Sequence, residues 1–440
     1  MIYRAIGAAA FALALSGASA RADVTLLFWP GPESEAMQQV IDAYNAGPGQ
    51  ADGVTVDQLL FSRQGYFDKE LADLAASTTE FDLALVTTYT LGRYAPFLEP
   101  LDKYLDAGMA ERFAPVALDS LKAEDAQYGV PTDISLHFTY YRKDLIDQLL
   151  SDAAWRERYG EIAREHLGQA MTPKDPGMWT WDDYLATALF FTEAINPDSP
   201  TRYGTVLQLK NLIFNVMIWQ STLVSNGGDW MDEGGNVTID SDAARRGLEI
   251  YGQLIDAGAT TAGSTNYEYG EANAAFGSGQ AATMLQWNAA FNELNDPAKT
   301  PVTAGKVWVA PMPAGSAGPK THIHSLGIGM NKASENKEDA GKFLTYLASE
   351  EAMEVYGKAG GTPPVPAVLA ALAEQRPEFP LVGEHADKYG FVVAGGTAAN
   401  AVPIYEVLAE HFSSYWAGLS DLDSALTGAA EGMREVQQRQ

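Results

Sequence analysis

His322 and His324 flank Ile323, so in an extended segment both imidazoles fall on one face, where they could ligate a metal ion. The chain offers no obvious local third ligand, which leaves surface or ligand-lining roles open to the pair. Other reactive side chains form no recognisable constellation: there is no G-x-S-x-G elbow, no P-loop, no G-x-G-x-x-G after a strand and no H-E-x-x-H. Cysteine is absent, which removes disulfides, thiolate metal sites and a cysteine nucleophile together. With 57 acidic residues, some carboxylate pair will lie near any cleft, so paired carboxylates are uninformative. No cofactor and no metal are expected, and the chain does not read as an enzyme.

What the chain does supply is aromatic and polar residues just after strand-like segments. Val24 to Trp29 is β-rich and ends at Pro30, Gly31 and Pro32; Ser34 can then cap a helix carrying Met37, Val40, Ile41 and Tyr44 at helical spacing. Strand Val54 to Phe61, helix Phe67 to Ala75 and strand Asp82 to Val86 follow. A second series includes strands Ser135 to Tyr141, Ala281 to Gln286, Val307 to Ala310 and Ile323 to Met330, with a capping box expected at Thr180 to Asp183. Such alternation argues for α/β lobes with mainly parallel sheets flanked by helices. The stretch Asp152 to Pro176 reads as an insertion decorating one surface.

In open α/β sheets, ligands sit beyond the carboxyl ends of the strands. That rule selects Trp29, Glu33, Arg63, Tyr89, Asp133, Trp230, Trp287, Asn288, Gly361 and Thr362. Each type has an ordinary structural use, aromatics in cores and charged groups in solvated loops or caps, so the argument rests on the set. Aromatic faces beside carboxylate, amide and guanidinium groups suit a sugar or polyol, since a ring covers the C–H face while the polar groups pair hydroxyls. A polyamine or other cationic solute would want aromatics with several carboxylates, and Arg63 counts against it. A secreted carbohydrate-active enzyme is the remaining rival.

The 440 residues exceed what one hydrophobic core usually supports, so two domains are expected. Arg4, an apolar run from Ile6 to Leu15 and the exit Ala18-Ser19-Ala20 read as a signal peptide over residues 1–20. Without a lipid-bearing cysteine, an exported chain is expected to diffuse freely in a periplasm. A net charge of −28 repels phosphate backbones, which makes nucleic acid a poor partner.

Several segments resemble the carbohydrate-binding family of ABC-transporter solute-binding proteins that includes maltose-binding protein. They are VTLLFWPGPESEAMQQVIDAYN from Val24, FDLALV from Phe81, FLEPLDKYL from Phe97, YGVPTDISLHFTYYRKDL from Tyr128 and WTWDDYLATA from Trp179. Later come YGEANAAFGSGQAATMLQWN from Tyr269, LGIGMNKASENKEDAGKFLTYLASEEA from Leu326 and GGTPPVPAVL from Gly360. Arg142, where the family often has asparagine, and the Asp152 to Pro176 insertion are departures. The resemblance implies two lobes, 22–132 with 318–370 and 133–317 with 371–440, closing by a hinge on ligand. By position it implies sugar contact at Tyr89, Asp133, Ser135, Trp287, Gly361 and Tyr405, and a monomer that serves transmembrane permease subunits of an importer.

Overall fold

The computed structural model describes residues 23–63, 65–123 and 125–439, so the expected signal peptide lies outside the described residues. The chain begins with β1 (Val24–Phe28), α1 (Pro32–Ala46), β2 (Val56–Leu60), α2 (Tyr66–Ala75) and β3 (Leu83–Thr87). β1 lies between β2 and β3 and is parallel to both, with Val24 opposite Val56 and Leu26 opposite Leu83. Helical crossovers return each strand in the same direction, which is why the alternating pattern produces parallel pairs. Ser34 is not the cap of α1. The helix starts at Pro32, whose missing N–H costs nothing there. Ser34 sits in the first turn and its hydroxyl accepts from the Gly31 N–H at 3.0 Å.

β4 (Val130–Arg142) is buried along its whole length. After it come α3 (Ala153–Leu167), α4 (Trp181–Phe190), β5 (Tyr203–Val206), α5 (Ile213–Ser225) and α6 (Tyr269–Gly277). β6 (Ala281–Trp287), β7 (Val307–Ala310), β8 (Thr321–Asn331) and α7 (Ala401–Trp416) complete the elements that matter for the site. The strand order is β2-β1-β3-β8-β4-β6-β5, with β7 added to β4. β8 runs antiparallel to both β3 and β4, which makes the whole sheet mixed. Its register against β4 slips between Leu326 and Gly327, opposite Asp133 and Pro131.

The stretch expected to decorate a surface is docked. Asp152 accepts hydrogen bonds from Ala154 and Trp155 and so starts α3, whose Tyr159, Ile162 and Ala163 are buried. Trp155 and Tyr159 meet Phe190 of α4 at 5.3 and 6.0 Å between ring centroids. The capping box is present: Thr180 Oγ1 accepts from the Asp183 N–H at 3.2 Å, and the Asp183 carboxylate accepts from the Thr180 N–H at 2.9 Å.

Apolar side chains gather into separate cores. One contains β1, β3, Val130 of β4, and Leu326, Ile328 and Met330 of β8. Ile134 to Tyr140 of β4 and Ile323 of β8 instead join β6 and β7 in a second. A third fills the space among α3, α4, α5 and α7. The apolar residues of β4 and β8 therefore change cores part-way along their length. A register slip falls at that same level, beside Ser135 of β4 and Leu326 of β8, which line a cavity.

Candidate functional site

Trp29 directly follows β1 and is buried by aromatic edges, with Tyr66 at 5.4 Å, Phe67 at 5.8 Å and Phe214 at 6.2 Å. Its indole N–H has no hydrogen-bond partner. Arg63 lies over the ring, its Cζ 5.1 Å from the centroid, and is held there by the Glu33 carboxylate at 3.2 Å and the Pro30 carbonyl at 3.1 Å. Ser135 of β4, Gln208 after β5, Phe214 of α5, Tyr269 of α6 and Trp287 of β6 join them, and β8 adds His324. These side chains surround a cavity of about 30 Å³, which suits one or two water molecules rather than a pyranose. Larger chambers adjoin it: one of about 340 Å³ shares Arg63 and Phe214 with it, and one of about 390 Å³ shares Tyr269 and Ala289.

Five of the expected residues thus meet at the central cavity: Trp29, Glu33, Arg63, Ser135 and Trp287. Trp287 is 8% exposed and packs on three histidines, at 4.0 Å from His137, 5.0 Å from His324 and 6.4 Å from His322. The histidine pair therefore has a third neighbour, His137 of β4, but among the described residues no group of three such side chains is arranged to hold a metal. Burial pushes all three imidazoles toward the neutral form, His322 down to about 3.

The remaining expected residues stand behind that wall. Asp133 is buried, and its carboxylate accepts from the Thr362 N–H at 2.7 Å, the Tyr356 hydroxyl at 3.2 Å and Ser135 Oγ at 3.3 Å. Burial raises its pKa while those donors work against the rise. Asn288 donates to the Ile134 carbonyl at 3.1 Å and to Thr362 Oγ1 at 3.0 Å, and accepts from the Leu136 N–H at 3.0 Å. Asp133, Asn288 and Thr362 thereby tie β4 to the loop after residue 360. Gly361 fits there because a Cβ would lie 2.0 Å from the Tyr356 ring. Tyr89, Tyr405 and Trp230 form a buried aromatic chain, with centroids 6.2 Å apart for the first pair and 4.5 Å for the second. Tyr89 meets the cavity wall at His324, at 5.2 Å.

Gln208, Phe214, Glu268 and Tyr269 line the cavity and were not selected from the sequence, whereas His324, which also lines it, belongs to the pair whose ligand-lining role the sequence left open. Gln208 follows β5, so the strand-end rule would have found it had that short strand been recognised. Phe214 and Tyr269 lie in the first turns of α5 and α6, a position the rule does not examine.

The family model described as bacterial extracellular solute-binding protein matches residues 30–354. The chain belongs to that family. Among the described residues, no helix of this solute-binding protein is long and apolar enough to cross a membrane. A curated relative from Sinorhizobium fredii, a probable amino-acid ABC transporter periplasmic-binding protein, is 23% identical over 377 residues, 83% of this chain and 77% of its own. Maltose-bound MalE3 of T. maritima has the same fold, with a TM-score of 0.76, 24% identity and coverage of 95% of this chain and 99% of its own. So does a solute-binding protein from Agrobacterium radiobacter K84 in complex with ribitol, at TM-score 0.76 and 19% identity over 95% and 98% of the two chains. Another from Agrobacterium vitis S4, with bound D-mannitol, gives 0.75 and 19% over 94% and 98%.

Proposed function

We propose that this solute-binding protein captures a neutral sugar, oligosaccharide or polyol between its lobes and delivers it to the permease of an ABC importer in the periplasm, acting as a monomer and without catalysis. The observation that carries the reading is the makeup of the central cavity. Trp29, Phe214 and Trp287 offer apolar faces from two lobes, and Glu33, Arg63, Ser135 and Gln208 offer hydroxyl partners. The solved relatives with bound maltose, ribitol and D-mannitol support the same ligand class.

The curated relative's name favours a second reading, an amino acid. The Glu33–Arg63 pair argues against it. Each charge already neutralises the other at 3.2 Å, so a zwitterion would have to break the pair and repay its loss. A neutral polyhydroxyl ligand uses the spare lone pairs and N–H groups and leaves the pair intact.

Closure about the β4 and β8 crossings would bring both walls onto the ligand, and binding shifts the population toward the shut form. The proposed lobes are residues 22–132 with 318–370, and 133–317 with 371–440. A thermal-shift screen across mono-, di- and trisaccharides, polyols, amino acids and polyamines tests the assignment. A cognate sugar or polyol at a hundred times Kd should add about 2.7 kcal/mol. Stabilisation by amino acids or polyamines alone would overturn it.

A further inference from the structure

The central cavity and the 340 Å³ chamber beside it are separated by a narrow partition. Arg63 and Phe214 are the two residues shared by the central cavity and the 340 Å³ chamber beside it. Phe214 is partly buried in the first turn of α5, where Ile213, Val216 and Met217 already supply the buried apolar face. Its ring reaches the opposite lobe instead, 6.2 Å from Trp29 and 6.4 Å from Phe67. Arg63 approaches from that lobe with its Cζ 5.9 Å from the Phe214 centroid. Glu33 and the Pro30 carbonyl hold the guanidinium, so Phe214 is the apolar half of the partition.

Beyond the partition the chamber suits further sugar units. Phe67 and Val402 provide apolar surface, while Asp68 and Glu406 provide acceptors for hydroxyls. We propose that Phe214, opposed by Arg63, is the specificity-determining residue that limits ligand length, holding the protein to polyols and short saccharides by closing the passage to the outer chamber. This rests on the carbohydrate reading above. A ligand seated against Trp287 and Trp29 meets the Phe214 ring where its next unit would have to pass. With the ring removed, that unit enters the outer chamber.

The test is calorimetric affinity of the full chain, wild type and Phe214→Ala, for ribitol, mannitol and the di-, tri- and tetrasaccharides of the malto-, cello- and xylo-oligosaccharide series. The wild type should lose affinity beyond the disaccharide. Phe214→Ala should raise tetrasaccharide affinity at least about tenfold relative to disaccharide, and Phe214→Trp should restore the wild-type profile. A denaturant melt checks folding, with Phe214→Leu in place of the alanine variant if that one does not fold. Failure of every probe to bind the wild type overturns the carbohydrate reading, and the partition with it. Wild-type binding with an unchanged length profile in the variant overturns the partition alone, as does a wild type that holds tetrasaccharide as tightly as disaccharide.

Discussion

Trp287 carries two loads. Its indole lines the cavity and also packs against His137 at 4.0 Å, so it is more deeply built into the lobe than a ring projecting into open space. Trp287→Ala should therefore weaken sugar binding by about 30- to 1000-fold, from about 2 to 4 kcal/mol of lost burial and ring geometry. It should also destabilise the unliganded protein by about 3 to 5 kcal/mol through the space it leaves. Calorimetry and a denaturant melt on the same variant separate the two losses, and preserved affinity would remove the ring from the ligand's surface. Glu70 makes a different residue-scale case. It is fully buried in α2 with neither carboxylate oxygen hydrogen-bonded among the described residues, and burial raises its pKa well above the ordinary range, offset in part by the nearby Tyr94 hydroxyl and then by the Arg93 charge. A raised folded pKa gives stability that is complete below the unfolded value near 4.3 and is lost as pH climbs toward the folded one. Glu70→Gln has no proton to lose. Its stability relative to wild type should grow by up to about 1.4 kcal/mol per pH unit above that point, read from denaturant midpoints at pH 5 and pH 8. Parallel midpoints would show that Glu70 ionises freely in the fold.

At the scale of elements, β4 and β8 bring three histidines together that the chain keeps far apart. The His322 and His324 pair was legible, because two positions along a strand share a face. Its third neighbour was not: His137 joins only through the antiparallel pairing of β4 with β8, where Ile323 faces Leu136, and no local pattern reports such a register. The capping box at Thr180 was readable for the opposite reason, since all its parts lie within four residues. β5 escaped notice because it is four residues long and carries Gly204, a residue that reads as a turn. The structure explains that glycine by close packing, as a Cβ there would lie 1.8 Å from the Ala188 carbonyl oxygen. Glu33 and Arg63 were selected singly by their strand-end positions, and their pairing again depends on β1 and β2 lying side by side. The histidine cluster has a pH consequence. Its folded pKa values lie below the unfolded value near 6.5, so the unfolded chain binds more protons, and stability falls as pH drops below about 6.5 toward the folded values, about 3 for His322. His137→Phe should flatten that loss by up to about 1.4 kcal/mol per pH unit between pH 6.5 and 5, measured by denaturant melts. An unchanged slope would mean that His137 takes up its proton over the same pH range in the folded and the unfolded chain.

For the whole molecule, the groove is already narrow, and under the proposed lobe boundaries the contacts that narrow it join one lobe to the other. Trp29 with Phe214 and Tyr89 with Tyr405 bridge it at 6.2 Å each. On the proposed sugar reading, a cavity of about 30 Å³ would admit the ligand only if those contacts part, and uptake would then take the form of opening followed by closure. Small-angle scattering should show a smaller radius of gyration at ligand saturation than for the unliganded chain in solution. Equal radii would argue that binding proceeds without a change in lobe angle.

The position of β8 also bears on when the fold can be finished. Thr87 at the end of β3 pairs with Leu326, and Leu83 pairs with Met330. The N-terminal segment therefore holds β1, β2 and β3 early in synthesis yet lacks the strand that covers the open edge of β3, and Phe343, Leu347 and Tyr356, which fill its core, come later still. Contacts so distant along the chain close slowly, because the intervening loop must be ordered before they contribute. A chain cut after residue 320 would keep every residue of the first three strands and leave the β3 edge bare. The layer built by β1, β2 and β3 thus receives its covering strand only from the last third of the polypeptide.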